Sequence, residues 1–165
     1  MLHAGLNCPL SSGMGRLFDG VAAILGLCAK AGYEGQGAVL LEAAAVDEGG
    51  RYPLILEGTP LRFDWRPMVH AIVEDRDAGV AIGVIAGRFH NTLLDMAAAL
   101  CERASAETGL RDVVLSGGSF QNLYLMHRLP AMLEERGLRP WHHRRVSCND
   151  EGISLGQLMI AEYTR

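Results

Sequence analysis

The spacing of apolar residues along the chain predicts helices in six segments. In residues 11–29 the apolar side chains recur every three or four positions, which indicates a helix with a wide buried face and Ser11 or Ser12 as its N-cap. Residues 80–107 keep apolar side chains on more than one face, so we expect the longest helix there, largely buried. Shorter helical patterns lie at 38–46, 67–77, 122–136 and 152–163.

Between these helices the sequence predicts four short strands. The stretches RYPLILEG and TPLRFDW indicate a hairpin around a turn at Glu57–Pro60. DVVL, residues 112–115, is short and β-branched enough for an interior strand, and LRPWHH, residues 138–143, predicts another. Because strand, helix, strand and helix alternate in the second half of the chain, we expect an α/β layer.

Composition narrows the class of protein. A chain of 165 residues allows one domain or one lobe of a larger one, and 49% hydrophobic and 21% charged residues with a net charge of −4 fit a soluble globular protein. The basic stretch HHRRV is too short and local for a nucleic-acid surface. No run approaches the roughly 18 apolar residues that span a bilayer, so we expect no membrane partner.

The four cysteines give no sign of a disulfide or metal framework. They lie far apart and form no CxxC pair, which argues against a zinc knuckle or a redox dithiol. Reduced thiols in a cytoplasmic protein are the simplest expectation. The cysteines are Cys8, Cys28, Cys101 and Cys148.

The stretch DVVLSGGSFQN, residues 112–122, combines a strand pattern with two glycines and the start of a helical pattern. Free backbone N–H groups and a helix N-terminus at such a turn suit a phosphate, and the lack of side chains at Gly117 and Gly118 lets a ligand approach closely. The alternative is a plain tight turn, since the stretch matches neither the Walker pattern nor GxGxxG. Ser116 and Ser119 do not form the G-x-S-x-G nucleophile elbow.

Two carboxylates and a histidine are further candidates. Asp150 lies where the last helix should begin, so it either caps that helix or binds a divalent cation together with other ligands. Asp19 lies on the polar edge of the first helix or faces a cleft, where it could accept a hydrogen bond from a ribose or an amide. His90 lies near an apolar face of the longest helix, which favours a packing role over catalysis.

Five longer segments are far more specific in combination. They are CPLSSGMGRLFDGVAAILGLC, YEGQGAVLLEAAA, RFHNTLLDMAA, LSGGSFQNLYLMHRL and NDEGISLGQLMIA. Their order resembles the C-terminal end of the hydrogenase-maturation carbamoyltransferase family HypF, over nearly the whole chain. The resemblance implies that residues 1–165 form a single domain, the second lobe of the family's carbamoyltransferase domain. The implied fold is α/β, the helix-rich half of an actin-like (ASKHA) nucleotide-binding fold, in which helices pack a short central sheet.

The resemblance also implies an activity. HypF proteins use carbamoyl phosphate and ATP to make carbamoyl adenylate and pass the carbamoyl group to the C-terminal cysteine of a partner, HypE. That group becomes cyanide on the iron of nickel–iron hydrogenase. We therefore expect ATP or carbamoyl adenylate as the ligand and a HypE-like maturation protein as a partner.

Roles for individual residues follow from the resemblance in the same way. It implies that Ser116, Gly117 and Gly118 form the phosphate cradle and that Asn122 contacts the nucleotide or the acyl group. Further along the implied site, Asp19 holds the adenylate and Gly35 lines the adenosine side. Asp150 is expected to complete a divalent metal site, with zinc or iron as the ion.

In two respects the sequence departs from the family pattern. The family's metal-binding histidines lie in an HxxxH motif, which does not occur among the six histidines here. The acylphosphatase-like, zinc-finger and carbamoyl-adenylate-forming domains and the first lobe also lack counterparts. We therefore expect a C-terminal fragment whose partners include the remaining HypF domains and which does not complete carbamoyl transfer alone. Its apolar surface, exposed by truncation, could drive dimerisation.

Two other interpretations remain open from the sequence. One is half of a sugar or acetate kinase of the same superfamily. The other is a docking lobe that recruits a HypE-like protein and has no catalytic part.

Overall fold

The computed structural model describes residues 11–164, in which helices dominate. The first half contains α1 (Met14–Ile24), α2 (Gln36–Ala44), β1 (Ile55–Glu57), β2 (Arg62–Asp64), α3 (Arg66–Asp77) and α4 (Ile82–Thr108). The second half contains β3 (Asp112–Leu115), α5 (Leu123–Met126), α6 (Leu129–Glu135), β4 (Arg139–His142) and α7 (Ile153–Tyr163). Two short 3-10 turns complete it. We call Gly118–Gln121 the glycine turn and Asp150–Gly152 the terminal turn.

The first helix is shorter than its apolar pattern predicted. Its N-cap is Gly13, whose amide donates to the hydroxyl of Ser11 at 3.2 Å, so neither serine is the cap itself. The helix ends at Ile24 because the chain reverses at Gly26, which has a φ of 72°. Such a left-handed conformation favours glycine and terminates helices.

The longest helix, α4, is the centre of the core, as its pattern predicted. Its buried face packs against α2, α3, α5 and α6. Both apolar and polar side chains of α4 are buried, and the buried polar ones are His90, Asn91 and Thr92. Because each buried polar side chain in the described residues has a hydrogen-bond partner, their burial carries no uncompensated desolvation cost.

Two glycines of α4 allow the chain between α2 and β1 to lie directly against the helix. The amide of Val46 donates to the carbonyl of Gly83 at 2.8 Å. A Cβ atom at Gly83 would lie 2.8 Å from the carbonyl oxygen of Ala44, and one at Gly87 would overlap the carbonyl of Val46. The absence of side chains at these two positions therefore sets the helix-to-backbone distance.

The hairpin and the two later strands form as predicted, but β3 is not an interior strand of the described residues. Strands β1 and β2 pair antiparallel, and β3 pairs only with β4, in parallel from Asp112 opposite Arg139 to Leu115 opposite His142. Leu115 is buried, whereas 69% of Val114 is exposed. Strand β3 thus packs against the core with one face only. A pattern of four residues cannot distinguish such a strand from one that is buried on both faces.

The single helix predicted over 122–136 is divided into α5 and α6. The break falls at His127 and Arg128, and Pro130 lies in the first turn of α6. Proline suits a first turn but would clash with the carbonyl four residues before it in a continuous helix. The proline therefore ends α5 after one turn.

Helix α7 has the predicted span but buries none of its residues within the described part of the chain. Its contacts are chiefly with the terminal turn that precedes it. Across residues 11–164, no helix is both long and apolar enough to cross a membrane.

Candidate nucleotide-binding cleft

One cleft of about 1220 Å³ gathers residues from four separate parts of the chain. Its walls are the start of α1, the turn before α2 with one face of that helix, the glycine turn, and the terminal turn. Five residues that the sequence singled out line this cleft: Asp19, Gly35, Gly118, Asn122 and Asp150. Ser116 and Gly117 are not among its lining residues.

Although it does not line the cleft, Gly117 joins two of its walls. The amide of Gly117 donates to the carbonyl of Cys148 at 2.7 Å, which ties the glycine turn to the segment before the terminal turn. The Ser116 hydroxyl lies 3.0 Å from Nε2 of His143. Gly117 has a φ of 100°, which other residues rarely adopt. This glycine therefore has a conformational role that brings Gly118 and Asp150 to the same cleft.

The glycine turn offers fewer backbone donors than the sequence suggested. Because Gly117 already bonds to Cys148, the available amides of this turn are those of Gly118 and Ser119, which donate to no atom of residues 11–164. A Cβ atom at Gly118 would meet nothing within 4 Å, so the space in front of it is open. These two amides are the donors that a phosphate oxygen could reach.

The N-terminus of α5 is not a phosphate site, which corrects the expectation of a helix dipole aimed at the ligand. The amide of Leu123 donates to Glu42 Oε1 at 2.7 Å, and the amide of Tyr124 donates to the same oxygen at 3.4 Å. The amide of Leu125 donates to Asn122 Oδ1 at 3.0 Å. Side chains of the protein therefore satisfy the first amides of this helix.

Asn122 is 7% exposed, and both ends of its amide already have protein partners. Its Oδ1 caps α5, and its Nδ2 lies 3.0 Å from Nε2 of His90, whose Nδ1 lies 2.8 Å from the carbonyl of Ala86. A carbonyl only accepts, so Nδ1 carries the proton and Nε2 accepts from Asn122. Burial lowers the pKa of His90, which keeps the ring neutral. The geometry gives Asn122 a positioning role, and its contact with a nucleotide stays a prediction.

Asp19 faces the cleft from α1, with its side chain 45% exposed. It lies close to α2, since a Cβ atom at Gly37 would be 3.0 Å from Asp19 Oδ1. Arg16 is its nearest cation, at 3.9 Å, a distance too long for a strong pair on an exposed surface. Gly35, with a φ of 81°, is the N-cap of α2 and also lines the cleft. Asp19 therefore keeps free acceptor capacity toward the cleft.

Asp150 is exposed and does not cap the last helix. The cap of the terminal turn is Asn149, whose side chain accepts from the amide of Glu151 at 3.0 Å. The carboxylate of Asp150 is thus available to the cleft. In residues 11–164, however, no group of three or more histidine, cysteine, aspartate or glutamate side chains is placed to hold a metal ion. These residues do not fit a complete metal centre by themselves.

Carboxylates outnumber cations in the described lining of the cleft. The carboxylates are Asp19, Glu34, Glu42, Asp150 and Glu151, and the single cation is Arg16. Sequence reasoning missed Glu42 and Arg16, since a charged residue in an amphipathic helix carries no signal of its own. A second groove of about 750 Å³, between α1, the hairpin, α3 and α4, is mostly apolar and has no carboxylate in its described lining.

Comparison with known proteins identifies the family. The protein family described as "Carbamoyltransferase, Kae1-like Domain, second subdomain" matches residues 1–157. The carbamoyltransferase HypF of Synechocystis is 38% identical over 93% of this chain and 20% of its own length. The crystal structure of full-length HypF in its phosphate- and nucleotide-bound form shares 38% identity over 93% of this chain and 20% of its own, with a TM-score of 0.88. The structure of T. kodakarensis HypF matches with 26% identity over 97% of this chain and 21% of its own, and a TM-score of 0.85.

The chain therefore belongs to the family of HypF-type, Kae1-like carbamoyltransferase domains and corresponds to their second subdomain. Its fold is the helix-rich part of an actin-like nucleotide-binding fold with a short sheet, as the sequence predicted. The Synechocystis relative is named a carbamoyltransferase, an enzyme of the transferase class. The chain spans about a fifth of the length of HypF relatives such as the Synechocystis protein. Those relatives are thus much longer proteins, of which this chain matches one part.

Proposed function

We propose that the cleft forms one side of the site in which a HypF-type enzyme holds carbamoyl adenylate. The observation that carries the proposal is that Asp19, Gly35, Gly118, Asn122 and Asp150, drawn from distant parts of the chain, line a single cleft. The nucleotide and phosphate bound to a HypF structure of the same fold support it. The same family match favours a carbamoyltransferase over a sugar or acetate kinase.

In this proposal the backbone amides of Gly118 and Ser119 donate to the phosphate of the adenylate. Asp19 accepts a hydrogen bond from a ribose hydroxyl, and Gly35 leaves room for the adenosine. Asn122 fixes the position of the glycine turn relative to α5. Each of these residues is either open to the cleft itself or, like Asn122, holds in place a residue that is open to it.

The reaction we propose is carbamoyl transfer to the C-terminal cysteine of a HypE-like partner. The thiolate sulfur attacks the carbamoyl carbon, a C–S bond forms, the bond from that carbon to the phosphate oxygen breaks, and AMP leaves. Amides that donate to the phosphate stabilise the charge that the leaving group gains. Other parts of the enzyme supply carbamoyl adenylate from carbamoyl phosphate and ATP.

Asp150 contributes one carboxylate to the lining of the same cleft. We propose it as a ligand of a divalent ion whose other ligands come from outside the described residues. A bound zinc or iron ion would supply Lewis-acid stabilisation of negative charge. In this proposal the cleft supplies only one side of the complete site, so we expect the chain alone not to complete the transfer.

The test is Gly118→Asp in the polypeptide that carries this chain, with carbamoylation of the partner measured by mass spectrometry. The new carboxylate would fill the open space before the amides and repel the phosphate, so we expect transfer to fall at least about a hundredfold. Gly20→Asp is the matched control, since Gly20 also has open space around it but does not line the cleft. Unchanged transfer in Gly118→Asp would refute the phosphate role. Lost transfer with undiminished AMP binding and lost partner binding would favour a docking lobe instead.

A further inference from the structure

Glu42 joins two walls of the cleft that lie 81 residues apart in sequence. It lies in the last half of α2 and lines the cleft, and its Oε1 accepts from the amides of Leu123 and Tyr124 at the start of α5. Asn122 accepts from the next amide. The carboxylate therefore satisfies the amides of Leu123 and Tyr124, so these two donors are not open to a ligand.

The start of α5 is coupled to the phosphate-binding amides by a very short stretch of chain. The glycine turn ends at Gln121, and only Asn122 separates it from α5. The α5 helix has four residues, too few to be stable without its contacts. A displacement of the Leu123 amide would therefore move Ser119 and Gly118 as well.

On these grounds we infer that Glu42 is the positioning residue of the phosphate site, an inference that rests on the proposed nucleotide-binding function. Glu42 fixes the distance between α2, which carries the adenosine side of the cleft, and the glycine turn, which carries the phosphate side. By occupying the α5 amides it also restricts the phosphate to the amides of Gly118 and Ser119. The carboxylate acts through backbone geometry and does not need to touch the ligand.

The inference predicts that losing the hydrogen-bond acceptor of Glu42 has a larger effect than losing its negative charge alone. Glu42→Ala removes both, whereas Glu42→Gln keeps an oxygen that can accept from Leu123 and Tyr124. Calorimetric titration of the polypeptide that carries this chain, with AMP and with adenosine, separates phosphate binding from nucleoside binding. In Glu42→Ala we expect AMP affinity to fall about fivefold or more, the equivalent of one hydrogen bond, and adenosine affinity to change less than about twofold. Glu42→Gln should restore most of the AMP affinity.

Hydrogen exchange read by mass spectrometry supplies a measurement that needs no ligand. Peptides covering 118–126 should exchange faster in Glu42→Ala than in the wild type and return toward the wild-type rate in Glu42→Gln. Glu48→Ala is the control, since Glu48 is exposed and does not line the cleft. Wild-type exchange in Glu42→Ala, an unchanged AMP affinity, or an equal loss of AMP and adenosine would overturn the inference. If the wild type bound neither compound, the proposed function would fail, and the exchange rates would still decide whether Glu42 holds the turn.

Discussion

Helices α4 and α7 are both rich in apolar residues, yet they lie in opposite environments. Helix α4 buries eleven of its residues, including three polar ones. Helix α7 buries none, and six of its large apolar side chains are exposed by 40% or more: Ile153, Leu155, Leu158, Met159, Ile160 and Tyr163. A helix that is apolar on all faces usually lies inside a protein.

The contrast shows what an apolar pattern does and does not determine. It specifies that a helix has surface to bury, but the partner that buries it must come from elsewhere in the fold. For α4 that partner includes α2, α3, α5 and α6. For α7 the described chain offers little beyond the terminal turn. Substitutions of matched type in the two helices test whether this difference holds in solution.

The largest effect is expected from Gly87→Ala in α4. The added methyl group would overlap the carbonyl of Val46, which is backbone and cannot rotate away. We expect a loss of about 4 kcal/mol or more in the free energy of unfolding, measured by urea denaturation, or failure to fold. Gly156→Ala in α7 is the control, because a Cβ atom there meets nothing. It should raise stability by up to about 1 kcal/mol through helix propensity, and equal effects at both sites would contradict the described packing.

A leucine pair gives the next largest effect. Leu93 of α4 is 2% exposed and Leu158 of α7 is 69% exposed. Leu93→Ala should lower the free energy of unfolding by about 2–5 kcal/mol, because it removes buried contacts and leaves a cavity. Leu158→Ala should change it by less than about 0.5 kcal/mol. A large loss in Leu158→Ala would show that α7 is packed in solution.

The pH dependence of stability reports on the polar part of the α4 core. Burial lowers the pKa of His90, so below the ordinary histidine pKa of about 6.5 the unfolded chain takes up a proton that the folded chain does not. The free energy of unfolding should therefore fall as pH drops below about 6.5, with a slope of at most about 1.4 kcal/mol per pH unit from this group.

His90→Gln isolates the contribution of that histidine. The variant will be less stable at every pH, so the diagnostic quantity is the slope between pH 7.5 and 5.5 and not the stability itself. We expect a smaller slope in His90→Gln than in the wild type. Equal slopes would mean that His90 titrates alike in both states and that its ring is not shielded as described.

Sequence reasoning succeeded where local pattern determines structure. The span of α4, the hairpin and the existence of β3 and β4 follow from residue spacing and from turn residues such as Gly109, which has a φ of 75°. It failed where distant contacts decide. The burial of β3 depends on how many strands join the sheet, and the division of α5 from α6 depends on how strongly Pro130 opposes a continuous helix.

The candidate site divides in the same way. The sequence motifs that resemble the HypF family include Asp19, Gly35, Gly118, Asn122 and Asp150, and the fold brings all five to one cleft. The role of Glu42 could not be predicted from the sequence, because its hydrogen bonds reach residues 81 and 82 positions away. Nor could the sequence reveal that Asn149, rather than Asp150, caps the terminal turn, since adjacent Asn and Asp are equally good caps.

The smallest effect on stability, and the sharpest test of α7, is expected from Leu158→Glu. With 69% of Leu158 exposed, the new charge stays in water and the free energy of unfolding should change by less than about 0.5 kcal/mol. An exposed apolar helix promotes association, so sedimentation equilibrium should show less self-association in Leu158→Glu than in the wild type. Gln157→Glu adds the same charge to the same helix without removing apolar surface, and it should leave association largely unchanged. If both variants dissociated the protein equally, net charge and not the apolar surface of α7 would drive association.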